Sequence, residues 1–130
     1  MYFTKATAVV LLSALSLTTA MPALDSRQNG VTCQTSDGSP DNDKVTNAIN
    51  ELKGKGGNCP NTNGAASDCT TLVNAGGGKI GVCGEKDDDD SELSCEQVAD
   101  YANEVQQTCM SNGKSGGTFT VSDAKKIIVF

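Results

Sequence analysis

The chain has no histidine and no tryptophan, and its aromatic side chains are two tyrosines and three phenylalanines in 130 residues. Without histidine there is no Ser-His or Cys-His pair and no histidine-based ribonuclease chemistry. No CxxC pair is present either, which removes the usual zinc frameworks. There is no Asn-x-Ser/Thr sequence, so N-glycosylation is not expected. Positive charge is scarce: 10 Lys and Arg stand against 16 Asp and Glu. That balance argues against nucleic acid or anionic lipid as the main partner and leaves proteins, cell-wall polymers and cations. The longest apolar run, residues 8–17, is too short to span a bilayer, so no stable membrane insertion is expected.

That short apolar run sits in an N-terminal segment with a basic residue, Lys5, ahead of it and Thr18-Thr19-Ala20 behind it. Residues 1–20 therefore read as a secretory signal peptide cut after Ala20, and the protein is expected to be secreted and extracellular. Residues 21–27 end on Arg27 and read as either a short pro-segment trimmed there or a plain leader. Residues 28–130 are then one cysteine-rich domain, expected to be a monomer. Discounting Lys5, Asp25 and Arg27 leaves 15 acidic against 8 basic residues, a net charge of −7.

Six cysteines lie in that domain: Cys33, Cys59, Cys69, Cys83, Cys95 and Cys109. An even number in a small exported chain implies three disulfides. A core of this size is marginal, and each disulfide typically adds ~2–4 kcal/mol. Two of the cysteines bracket the clearest helix, residues 94–109. Ser94 and Gln97 form a capping-box pattern. Cys95, Val98, Ala102, Val105 and Cys109 then recur at helical spacing, and Asn112-Gly113 supplies the stop. Fourteen residues of helix separate Cys95 from Cys109 by roughly 21 Å. A disulfide requires Cα atoms within about 7 Å, so these two cannot pair with each other.

The remaining elements follow in order. Residues 31–35 form a short β-prone run. Ser39-Pro40-Asp41 opens a helix whose stripe is Val45, Ala48, Ile49 and Leu52, with Gly54 as a stop and Lys53 and Lys55 favouring the C-terminal dipole. Residues 70–74 and 79–83 read as a hairpin joined through Gly76-Gly77-Gly78. Residues 118–121 are a strand by alternation; after a bend at 122–124, residues 126–130 (KIIVF) are too apolar to be left outside the sheet. The order strand, helix, strand, strand, helix, strand predicts an α+β fold. It is a split βαβ (ferredoxin-like), antiparallel, four-stranded sheet with two helices on one face, stapled by disulfides. That topology gathers Cys59, Cys69, Cys83 and Cys95 near one edge and leaves Cys33 as the partner of Cys109. The other four could pair as 59–69 with 83–95 or as 59–95 with 69–83.

Two polar loops, residues 58–68 and 85–92, are long and tethered by cysteines, which makes them candidate contact surfaces. The second holds Asp87, Asp88, Asp89 and Asp90. No EF-hand pattern surrounds these aspartates, and a solvated charge run is the favoured reading over a cation site. The sequence singles out no catalytic residue, metal ligand or cofactor site.

The elements KIGVCG, SCEQVADYANEVQQTC, NGKSGGTFTV and KIIVF, together with the exported leader and acidic cysteine-rich body, resemble a group of fungal secreted proteins. This group comprises proteins related to the smut-fungus killer toxins and the homologous necrosis-inducing effectors of plant pathogens. The likeness covers roughly residues 69–130. It implies the split βαβ fold, a fungal source, and toxin or virulence-effector activity towards a competitor or a host plant. The killer toxins carry more disulfides and are thought to act through basic residues on calcium channels. This chain is acidic, so the resemblance carries no target across. The expected function is that of a non-enzymatic effector acting by binding a host or competitor protein. A directly antimicrobial killer-type toxin is one alternative, and a small enzyme or hydrolase inhibitor another. The exported protein is expected to show no free thiol on titration in denaturant and to lose its thermal transition on full reduction. Two or more free thiols would sink the three-disulfide framework.

Overall fold

The computed structural model describes residues 27–28, 30–63, 68–85 and 92–130. The segment 1–20 with Ala20, residues 21–26 of the spacer, and Asp87 to Asp90 lie outside the described residues. The elements are β1 (Arg27–Gln28), β2 (Val31–Cys33), α1 (Asn42–Lys55), β3 (Cys69–Ala75), β4 (Gly78–Gly84), α2 (Cys95–Cys109), β5 (Gly117–Ser122) and β6 (Lys125–Val129). The strands make one sheet in the order β1-β2-β5-β6-β4-β3, every neighbouring pair antiparallel. α1 lies over β3 and β4, α2 lies over β2, β5 and β6, and the helices pack on each other. The fold is α+β with both helices on one face.

The strand count and order differ from the four-stranded split βαβ arrangement. The last expected strand is a hairpin, because Asp123 and Ala124 reverse the chain instead of bending it. Its two arms insert between β2 and β4. The arm holding the apolar run Ile127, Ile128 and Val129 takes a place with β5 on one side and β4 on the other. That position pairs its backbone on both edges and buries Ile127 and Val129 completely or nearly so. As a result β2 and β4 are not neighbours, and no parallel pair forms among the described residues. Arg27, expected at a processing point, is the first residue of β1 and stands opposite Thr32.

Both helices form for local reasons. In α2 the Ser94 hydroxyl accepts from the Gln97 amide at 3.1 Å, and the Gln97 side chain accepts from the Ser94 amide at 3.0 Å. In α1 the N-cap is Asp41, not Ser39, and its carboxylate makes no capping bond. It takes Lys114 Nζ at 3.0 Å instead. The helix runs past Gly54 and stops at Gly56, whose φ of 65° is open to glycine at little cost.

Two rows of side chains cross the sheet beneath the helices. One is Val31, Phe119, Ile127 and Val82; the other is Cys33, Gly117, Val129, Ile80 and Val73. Val45, Ala48, Ile49 and Leu52 of α1 and Val98, Ala99, Ala102 and Val105 of α2 close over them. Each fully buried Val, Leu or Ile contributes roughly 1.5–3 kcal/mol. Tyr101 stacks on Phe119 with ring centroids 4.4 Å apart, so two of the three aromatic side chains among the described residues meet in one contact between α2 and the sheet.

The sheet edge at β3 is blunted. A bulge interrupts its ladder between Thr71 and Val73. Lys55 Nζ donates to the Leu72 carbonyl at 2.8 Å and Asn63 Nδ2 donates to the Cys69 carbonyl at 2.8 Å. Two acceptors on an otherwise open strand are thereby occupied, which discourages edge-to-edge association.

Gly78 belongs to β4 and not to the turn, which is the two-residue Gly76-Gly77. A Cβ at Gly78 would lie 2.5 Å from both the carbonyl carbon and oxygen of Lys44. Gly78→Ala is therefore expected to push α1 off β4 and to cost about 1–3 kcal/mol in urea unfolding. Gly54→Ala meets nothing within 4 Å inside the helix and is expected to add roughly 0.5–1 kcal/mol. Equal effects from the two changes would refute the close approach as the reason for Gly78.

Candidate functional site

The described roots of the two polar loops singled out from sequence meet at one end of the sheet. The disulfides are Cys33–Cys109, Cys59–Cys95 and Cys69–Cys83. Of the two arrangements left open for the middle four cysteines, the structure has 59–95 with 69–83. Cys59–Cys95 joins the stretch after α1 to the first residue of α2. Cys69–Cys83 joins the start of β3 to the end of β4. Backbone bonds run beside them: the Cys59 amide donates to the Leu93 carbonyl at 2.8 Å and the Cys95 amide to the Gly57 carbonyl at 2.9 Å. Asn58 Nδ2 reaches the Glu92 carboxylate at 3.0 Å, so the described roots of the two loops are bonded to each other.

Asn61 is the centre of this end. It is 1% exposed, a buried polar side chain that requires partners. Its Nδ2 donates to the carbonyls of Gly84 at 2.9 Å, Asp68 at 3.0 Å and Glu85 at 3.3 Å. Its Oδ1 accepts from Thr70 Oγ1 at 2.8 Å and from the Asn63 amide at 3.2 Å. One amide thus ties residues 61–63 to the ends of β3 and β4, and so one candidate loop to the other. Sequence reasoning placed Asn61 in a polar loop and missed this role. The signal available was only an Asn-x-Asn within the Cys59–Cys69 interval, which does not distinguish a buried amide from an exposed one.

A second concave surface lies at the opposite end. Gln34, Ser39, Pro40, Lys79, Ile128 and Phe130 line a groove of about 480 Å³. Lys79 and Phe130 exchange backbone hydrogen bonds at 2.9 and 3.0 Å, and Lys79 Nζ lies 5.5 Å from the Phe130 ring centroid. Phe130 is 42% exposed. The groove mixes a cation, hydroxyl and amide groups with an apolar wall, and Lys79 is the one ionisable side chain among its described lining residues. Such a surface suits binding. Its members are scattered along the chain, so no sequence spacing could reveal it.

Every cysteine is held in a disulfide. A thiol nucleophile or thiolate ligand would first require reduction. Among the described residues no group of three or more Cys, Asp or Glu converges as a metal site, and no helix is long and apolar enough to cross a membrane. No family model, curated protein or solved structure matches the chain.

Asn61→Ala is expected to leave the Gly84 and Glu85 carbonyls short of a donor, while the Asp68 carbonyl keeps the Gly84 amide at 2.7 Å, at a cost of about 1–3 kcal/mol. Amide hydrogen exchange should rise at Asn63, Gly84 and Glu85 while the interior of α2 stays protected. Uniform deprotection of the whole chain would show instead that Asn61 supports the global fold and not the loop roots.

Proposed function

We propose that the chain is a fungal secreted protein, an effector or toxin-like binding module without enzymatic activity, acting as a monomer on a host or competitor protein. The observation that carries this reading is the fastening of two polar loops to one another at one end of the sheet. Cys59–Cys95, Cys69–Cys83 and the buried Asn61 hold that end. A disulfide-bound framework keeps a recognition surface ordered outside the cell, where thiols stay oxidised. The signal-type leader, the absence of histidine and the likeness to the killer-toxin and necrosis-inducing groups support the same reading. The acidic net charge favours a protein partner over nucleic acid.

Growth inhibition tests the proposal. Oxidised protein spanning residues 28–130 is titrated onto fungi, yeasts and bacteria, with a fully reduced sample beside it. No inhibition of any of them leaves a host protein as the target. Inhibition that vanishes on reduction makes the target a competitor's and the protein a killer-type toxin, and cleavage of cell-wall glycans by the same sample would overturn the binding-module proposal in favour of an enzyme.

A further inference from the structure

Two of the three disulfides belong to the core and one does not. Cys59, Cys95 and Cys109 are 4%, 2% and 4% exposed, and Cys33 packs against the same core. Cys69 and Cys83 are only half-buried and stand outside that cluster. They occupy one register position of the β3–β4 ladder. Val82 faces the helices, so alternation along β4 turns Cys83 to the opposite, uncovered face of the sheet.

The bond is also redundant for holding its strands. β3 and β4 are paired from Cys69–Cys83 to Ala75–Gly78 and closed by the tight Gly76-Gly77 turn, and β4 is paired again with β6. It spans 14 residues, against 36 and 76 for the other two, so it removes the least freedom from the unfolded chain. A cation stands at the next position of the same row: Lys126 of β6 is exposed and directly across from Cys83. Positive charge beside a sulfur stabilises its thiolate and makes that sulfur the better leaving group.

We propose that Cys69–Cys83 is a thiol-exchange site for low-molecular-weight thiols, opening while the two core disulfides stay closed. The incoming thiolate attacks Cys69 Sγ. A new S–S bond forms there, the Cys69–Cys83 bond breaks, and Cys83 leaves as a thiolate facing Lys126. A second thiol then attacks the mixed disulfide, releasing the oxidised small disulfide and the Cys69 thiolate. Two thiols are oxidised and one protein disulfide is reduced. The bond sits at the root of the two polar loops, since Asn63 bonds the Cys69 carbonyl and Asn61 bonds the carbonyl of Gly84, next to Cys83. Its opening loosens that root and leaves the sheet and helices in place. This inference concerns the site's redox chemistry and stands whether or not the protein is an effector.

The oxidised, folded protein is titrated with reduced glutathione and, separately, with uncharged 2-mercaptoethanol. The products are trapped by alkylation and mapped by mass spectrometry. The expected result with both thiols is an adduct on Cys69 and alkylation of Cys83 before any change at the other four cysteines. Prior or simultaneous opening of Cys59–Cys95 or Cys33–Cys109 overturns the proposal. Lys126→Gln should slow the opening about threefold or more, and an unchanged rate overturns the role given to Lys126. The double variant Cys69→Ser with Cys83→Ser should keep a cooperative thermal transition and take up no thiol. Loss of that transition would show that the bond holds the fold and is not a separable switch.

Discussion

Helix α2 is longer than a disulfide can bridge, and its two terminal cysteines therefore fasten it to different parts of the molecule. Cys109 is bonded to Cys33 of β2 and Cys95 to Cys59 beyond α1. The sequence separations of 76 and 36 enclose most of the domain between them. Closing loops of that length removes a large share of the unfolded chain's freedom, worth about 3–5 kcal/mol each in the chain-entropy account. With both ends of α2 held, its apolar stripe can settle only onto the sheet. α1 is then placed beside it, over β3 and β4.

A few buried polar side chains set the fine positions. Gln106, 6% exposed on the face of α2 towards α1, donates to the Asn42 carbonyl at 2.9 Å and to Thr46 Oγ1 at 2.7 Å. Ser115, fully buried, donates to the Asn42 side chain. Asn61 does the same work at the opposite end. Each such group must find its partners or forfeit its hydration, so each selects one arrangement of neighbouring elements over nearby alternatives. The result is a small domain whose two ends are specified by hydrogen bonds as well as by sulfur.

These two ends differ in character. The end with Asn61 carries two disulfides and the roots of both polar loops, and it offers a surface built from chain segments held at their bases. The other end carries the groove between the 34–40 segment and Phe130, with Lys79 as the one ionisable side chain among its described lining residues. On a chain of net charge −6, the loop end, with Asp68, Glu85 and Glu92 at its described roots, conforms to the prevailing sign. A protein partner engaging the loops would meet polar and acidic groups, so basic and hydrogen-bonding surface is its natural complement.

Much of the secondary structure was written locally. The stripe of Val45, Ala48, Ile49 and Leu52, the Ser94–Gln97 capping box and the glycine turn of the β3–β4 hairpin, apart from the place of Gly78 in β4, are each made by residues within a few positions of one another. Their physics is complete in a short window. The helix length likewise forbade a Cys95–Cys109 bond before any fold was known. The placement of the last hairpin between β2 and β4, the choice of Cys59–Cys95 over Cys59–Cys69, and the burial of Asn61 depended on the tertiary structure. So did the groove joining Lys79 to Pro40 and Ile128. Each of these compares one long-range packing with another of similar local cost, and the difference lies in which apolar strand is covered on both edges and which buried amide finds its carbonyls.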